Sequence, residues 1–407
     1  MSISKYPKIR FKDENGNDYP DWEEKKLGEM FEIKKGIQIS KKNLSLNGQK
    51  CILYGELFTR YDEIIEDVTS KTDLDVLPNS KYYDILMPSS DVTPNGLAKA
   101  SCLLENDVIL GGDMNILRYK DENVFPPFFS YQINYFKKKI MDVVSGTTIK
   151  HVYSKNIEKL NYEVPLCIDE QEKIASFFML LDKRIEQQEQ KIALLKDYEK
   201  AMMQKIFSQK IRFKDENGND YPDWEEKKLG EIVYRNSKKN KDQKYTLIQS
   251  ISNKYGFVNQ EDYFEDRRVG SLDVSNYYVI NNGCFAYNPS RIDVGSLAYK
   301  NDNDISIISP LYVSFKGNAK HINDKFLLGW LFSHKFVGKL GRLFEGSVRN
   351  TLSYENLSTI DIETPCIAEQ EKIALFLEVI NDSIENQKEL LDEIIKEKTA
   401  LLNKMFI

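Results

Sequence analysis

Two stretches of the chain, Glu172–Phe207 and Glu371–Phe406, place apolar residues at steps that alternate four and three. In the first, the stripe runs Ile174, Phe178, Leu181, Ile185, Gln188, Ile192, Leu195 and Met202. In the second it runs Ile373, Leu377, Ile380, Ile384, Gln387, Leu391, Ile394, Leu401 and Met405. That spacing is the seam of a coiled coil. Neither stretch contains Pro or Gly, and both are dense in Leu, Lys, Glu and Gln, which are good helix formers. An amphipathic helix more often packs on a globular core, but this stripe is narrow, regular and present twice, which predicts that the two helices pair. Asp169 with Glu172 predicts a capped start for the first helix, after Pro165 ends the preceding segment. Ala368 holds the equivalent place before the second helix, whose start is less marked. Gln188 and Gln387 share one seam position, where a polar residue either fixes register at a cost in stability or lies at a wet edge.

The remainder of the chain reads differently. Short apolar runs such as "NDVILGG", "CFAYNPS" and "ISIISPLYVSF" predict strands in two compact α+β domains, one ahead of each helix. The two domains do not resemble each other in sequence, yet they are framed alike. The 22 residues from Lys8 to Glu29 return unchanged from Lys210 to Glu231. Just before the helices, "SGTTIKHVYSKNIEKLNYEVPL" parallels "EGSVRNTLSYENLSTIDIETP", each a Gly loop followed by a helix-like stretch and a strand. Frame, variable head and helix, stated twice, describe a covalent pseudo-dimer with an internal two-fold repeat.

The identical repeat offers chemistry that its spacing rejects. "PDWEEK" (Pro20–Lys25) has the residue types of a metal-dependent nuclease, but only Trp22 separates Asp21 from Glu23, so the carboxylates do not come from separate strands. "DENGND" has Gly16 at its fourth position, where a calcium loop needs Gly at the sixth. A turn at Asn15-Gly16 followed by an anchoring Trp22 accounts for the segment.

Composition narrows the class. The 407 residues, 41% hydrophobic and 12% aromatic, suit two or three folded domains. No run of 18 apolar residues and no leader pattern predict a soluble chain of the cytoplasm, with no membrane partner. Five cysteines (51, 102, 167, 284 and 366) are scattered and never form a C-x-x-C, which predicts buried free thiols and no metal site. Only three histidines occur (151, 321 and 334), too few for His-based chemistry. The net charge of −6 is uneven: Ile232–Asn350 carries 17 Lys+Arg against 11 Asp+Glu, a net of +6, whereas Met30–Lys150 carries 15 against 16. Phosphate contact depends on local charge, so the total does not exclude DNA.

"DWEEKKLGE", "SGTTIKHV" and "PLCIDEQEKIASFF", in that order and then again in looser form, resemble the DNA-specificity subunit of type I restriction-modification enzymes. The resemblance covers essentially the whole chain. It implies two target-recognition domains, residues 1–168 and 209–367, separated by two long antiparallel helices, residues 169–208 and 368–407. Each domain would read one half of a split, asymmetric site in double-stranded DNA. The resemblance also implies that catalysis belongs to partners. Two adenine-N6 methyltransferase subunits would use S-adenosylmethionine, and two translocase-endonuclease subunits would use ATP and Mg, with no cofactor on this chain.

A divergent DNA methyltransferase is the second possibility, and the motifs count against it. The nearest approach to an Asn/Asp-Pro-Pro-aromatic loop is "VFPPFF", where Phe125 stands in place of the polar residue, so it reads as a core turn. "LGGDMN" (Leu110–Asn115) has glycines and an acid but not the spacing of a cofactor loop, and no G-x-x-x-x-G-K-[S/T] exists. No catalytic residue is expected. A third possibility, a non-catalytic scaffold with protein-binding heads, is separated from the first by DNA binding with and without a methyltransferase partner.

Candidate DNA contacts in the first head are Lys34, Lys35, Lys41 and Lys42, with Thr147, Thr148, Lys150 and His151 in the Gly146 loop. In the second they are Lys238, Lys239, Lys241 and Arg291, with Ser347, Arg349 and Asn350 in the parallel loop. These types suit phosphates and base edges alike. A lysine cluster is as often plain solvated surface; the two loops stand out because their position repeats while their residues differ.

Overall fold

The structure, a computed structural model, describes residues 7–253, 255–260, 273–344 and 351–406. It divides into two compact units, residues 1–189 with 390–407, and residues 190–389. Two long helices, Ile168–Phe207 and Ile367–Met405, contribute to both. Within the first unit the start of one helix lies along the end of the other, with Lys398 bonded to Asp182 and Phe406 stacked on Phe178 at 5.9 Å. Contacts that advance on one helix while retreating on the other make the pair antiparallel. Every residue of the stripe is buried or half-buried, whereas Leu180, Leu194, Leu375 and Val379, apolar but off the stripe, are exposed. Gln188 is 8% exposed, away from water rather than at a wet edge, and Gln387 is half-buried. Asp169 does not cap: the helix starts one residue earlier, and Asp169 in its first turn takes the Tyr19 hydroxyl and Lys173.

The duplicated frame has a physical basis. Glu170 is fully buried, and its two oxygens take the Arg10 guanidinium at 2.9 and 2.8 Å and the Trp22 indole N–H at 3.3 Å. Glu369, also fully buried, takes Arg212 at 2.8 and 2.8 Å and Trp224 at 3.3 Å. A buried carboxylate needs such a fork-shaped partner. The strand Glu23–Lys26 pairs with Asn161–Val164, and Glu225–Lys228 pairs with Asp361–Thr364 in the same register. Asp13 and Asp215 each accept the backbone N–H groups of the next turn, at Asn15 and Asn17 and at Asn217 and Asn219, closing a loop that Gly16 and Gly218 complete at φ +83°.

The heads share a plan that their sequences hide. In the first, the strands Phe31–Lys35, Met114–Tyr119, Ile85–Pro88 and Ser101–Leu103 lie side by side in that order, with Ile64–Ile65 at the far edge. In the second, Val233–Arg235, Val313–Gly317, Cys284–Tyr287 and Leu297–Tyr299 follow the same order. Each head has another small sheet containing one parallel pair, Gln49–Ile52 with Ile109–Leu110 and Ile248–Ser252 with Ser306–Ile308. A short helix packs on each main frame, Pro126–Tyr135 and Asp324–Leu331. Gln171 accepts the Phe125 N–H at 2.9 Å, and Gln370 accepts the Asn323 N–H at 2.8 Å, so one glutamine in each long helix anchors the start of each short one. "VFPPFF" is therefore not a turn. Its prolines occupy the first helical turn, where a missing N–H costs nothing, and both are buried.

Candidate nucleic-acid interface

In the first head the Gly146 loop is the tip of a narrow hairpin. Ser145 and His151 exchange backbone hydrogen bonds at 3.0 and 2.7 Å. Gly146 sits at φ +108°, and a Cβ there would lie 2.1 Å from the Ile149 carbonyl oxygen, so only glycine fits the turn. Beyond it, Lys150–His151 pairs antiparallel with Ser90–Asp91, Lys150 facing Asp91 and His151 facing Ser90. The result is a short two-stranded ribbon. Thr147, Thr148 and Ile149 are exposed at its tip, the Lys150 ammonium donates to the Gly146 carbonyl at 2.8 Å, and the His151 ring stacks on Tyr153.

The foot of the ribbon is fixed by Asn115, which is fully buried at the start of Met114–Tyr119. Its side-chain oxygen accepts from Lys35 Nζ at 2.6 Å and from Ser154 Oγ at 3.0 Å, while its Nδ2 donates to the Val152 carbonyl at 3.2 Å. The Val152 N–H in turn donates to Ser89 at 3.1 Å. Partial burial lowers the pKa of the Lys35 ammonium below its ordinary value, and the Asp113 carboxylate opposes that shift.

The fold therefore gathers Lys35, Thr147, Thr148, Lys150 and His151, and adds Ser90, Asp91, Asn115 and Ser154, which the sequence did not single out. Lys34 is half-buried and paired with Glu32 at 3.3 Å. Lys41 and Lys42 stand exposed on a separate helical turn, Lys41–Asn43. In the second head Ser347, Arg349 and Asn350 lie outside the described residues. Just after them, Leu352 is anchored as Val152 is in the first head: its N–H donates to Pro289 at 3.0 Å, and its carbonyl accepts the Tyr287 hydroxyl at 3.1 Å. That contact brings the turn bearing exposed Arg291 close to Leu352. Lys238, Lys239 and Lys241 are exposed, with Lys239 bonded to Asn276 at 3.2 Å. A Pro-Ser pair after an apolar run, "MPSS" and "YNPSR", was the available signal for Ser90 and Arg291.

Among the described residues no cluster of His, Cys, Asp and Glu could hold a metal ion, and no helix is long and apolar enough to cross a membrane. Residues 19–197 and 221–396 each match the type I restriction modification DNA specificity domain. The chain belongs to that family. The specificity subunit of the type I restriction enzyme MjaVIII from Methanocaldococcus jannaschii is 24% identical, the match covering 98% of this chain and 95% of that protein. A crystal structure of a type I restriction-modification S subunit from M. genitalium superimposes with a TM-score of 0.62 at 15% identity, covering 99% of both chains. A chain from a structural study of type I complex assembly and conformational transition gives 0.54 at 17% identity, covering 95% of this chain and 98% of that one. In fold this specificity-family chain is two α+β heads, each built on a paired antiparallel helix frame.

Proposed function

We propose that this chain is the DNA-reading subunit of a type I restriction-modification complex and carries no catalytic centre of its own. Each head reads one half of a split, asymmetric site in double-stranded DNA. Two adenine-N6 methyltransferase subunits with S-adenosylmethionine perform the methylation, and two translocase-endonuclease subunits with ATP and Mg perform the cleavage, all in the cytoplasm. The observation that carries this reading is one frame, repeated down to the Arg10–Glu170 and Arg212–Glu369 pairs, bearing two heads of unlike sequence and like plan. A duplicated frame delivers two readers to two places; unlike surfaces make the two readings different. Phe125 supports the absence of methyl transfer: the nearest approach to an Asn/Asp-Pro-Pro-aromatic motif opens a buried helix and has a hydrocarbon ring in place of the polar residue. The purified chain alone should neither methylate nor cut DNA, and adding methyltransferase subunits should produce adenine methylation at one split site. Methyl transfer by the rigorously purified chain would refute the proposal.

A further inference from the structure

We propose that the ribbon of Ser90–Asp91 and Lys150–His151 enters the major groove, and that Val92 and Ile149 at its outer end read the 5-methyl group of a thymine. The inference rests on the DNA-reading function above and names what the first head's ribbon reads. In the register that sets Lys150 against Asp91, Ile149 and Val92 are the residues that flank this last pair of the ribbon on its outer side. Val92 is 72% exposed and Ile149 53%, whereas the apolar residues of the neighbouring strands Ile85–Pro88 and Ser101–Leu103 are buried. Two exposed apolar residues therefore border the outer end of the ribbon.

A two-stranded ribbon is narrow enough for the major groove of B-DNA, and the thymine methyl is the apolar group displayed there. The neighbours of the pair suit that groove. Thr147 and Thr148 offer exposed hydroxyls beside Ile149. The Lys150 and Lys35 ammonium groups supply positive charge at the neck and the foot of the hairpin. Asp91, the acid of the ribbon, has its carboxylate committed to the Thr93 N–H and hydroxyl at 3.3 and 2.8 Å. Reading by contact also needs a reader that holds its place, and the buried Asn115 bonds fix the ribbon to the main sheet.

The test uses the chain in complex with its methyltransferase subunits and duplexes carrying the site that the complex methylates. Each thymine of both half-sites is replaced in turn by deoxyuridine, which lacks only the methyl. At one position of one half-site the wild-type complex should bind about fourfold more weakly, the equivalent of about 0.8 kcal/mol for one buried carbon group. The double variant V92S/I149S should bind thymine and uracil alike at that position and should keep the wild-type response throughout the other half-site, which also reports that it is folded. A wild type indifferent to uracil in both half-sites overturns the proposal, as does a double variant that keeps every thymine preference. A wild-type complex that binds no site at all contradicts the DNA-reading function itself.

Discussion

The backbone N–H of Ile9 donates to the carbonyl of Lys404 at 3.1 Å, and the N–H of Ile211 donates to Lys205 at 3.3 Å. Lys404 and Lys205 are equivalent in the two long helices, and Ile9 and Ile211 are equivalent in the 22-residue repeat. In the second case the partners are joined by the chain through Ser208 and Gln209; in the first the same contact forms without a covalent link. A chain re-ordered to begin at Lys210, with Phe406 joined through Ser-Gln to Lys8, should therefore fold. Its thermal midpoint should lie within about 3 °C of the parent, a difference of about 1 kcal/mol. With partner subunits it should direct methylation to the parent's site. Failure to fold would mean that the two joints are not equivalent.

Glu170 and Glu369 hold the frames closed. Glu170→Ala removes the fork partner of Arg10 and the acceptor of Trp22, leaving the guanidinium its bond to the Pro20 carbonyl at 2.7 Å but no buried carboxylate. We expect a loss of about 3 kcal/mol in urea unfolding for Glu170→Ala and a similar loss for Glu369→Ala. Glu170→Gln, which keeps one acceptor and the shape, should cost less. Equal stability of the wild type and Glu170→Ala would remove the physical reason for the unchanged form of the repeat within this chain.

Two glycines with positive φ should respond differently. Gly16 has nothing within 4 Å of an added Cβ, so Gly16→Ala should cost about 1 kcal/mol and leave methylation unchanged. Gly146→Ala meets the Ile149 carbonyl at 2.1 Å and must deform the hairpin tip. Methylation of the site should fall at least about tenfold, the equivalent of about 1.4 kcal/mol, while the complex still assembles on a sizing column.

Glu63 carries a pH dependence. Burial raises its pKa above the ordinary 4.5, and Lys398, 3.7 Å away, opposes the shift. A carboxyl with a raised folded pKa binds its proton more tightly in the native state. Its contribution is therefore complete below about pH 4.5 and is lost as pH rises through the folded value. The difference in thermal midpoint between Glu63→Gln and the wild type should shift in favour of the variant as pH rises from 4 to 7. A difference that stays flat across that range would contradict the assignment.

The helices were legible because the same face is buried turn after turn, which leaves a period in the sequence. The 22-residue repeat was legible as letters, but its purpose was not, since Arg10 meets Glu170 across 160 positions. The common plan of the heads was hidden because their strands are short and buried on both faces. Ile85–Pro88 and Cys284–Tyr287 show no alternation to read, and many sequences can fill such a layer. At the candidate interface, the Gly146 loop stood out by position, while its ribbon partner Ser90–Asp91 lies some 60 residues upstream and is set by pairing alone. Asn115 ended a stretch that resembled a failed cofactor loop; only the fold shows it holding Lys35, Val152 and Ser154.

The measurement that bears most directly on the whole account is a methylation map after exchange of one head. Residues 30–150 would be replaced by a copy of residues 232–350, so that both frames carry the second head, and the chain would be expressed with its methyltransferase subunits. Because the frames are paired in the same register and each anchors its head's short helix through one glutamine, Gln171 or Gln370, the map should change from one asymmetric split site to a symmetric one, built from two inverted copies of a half-site already present in the parent. A map that keeps the parent's asymmetric site, or that shows a half-site absent from the parent, would contradict the claim that each head reads its own half of the DNA.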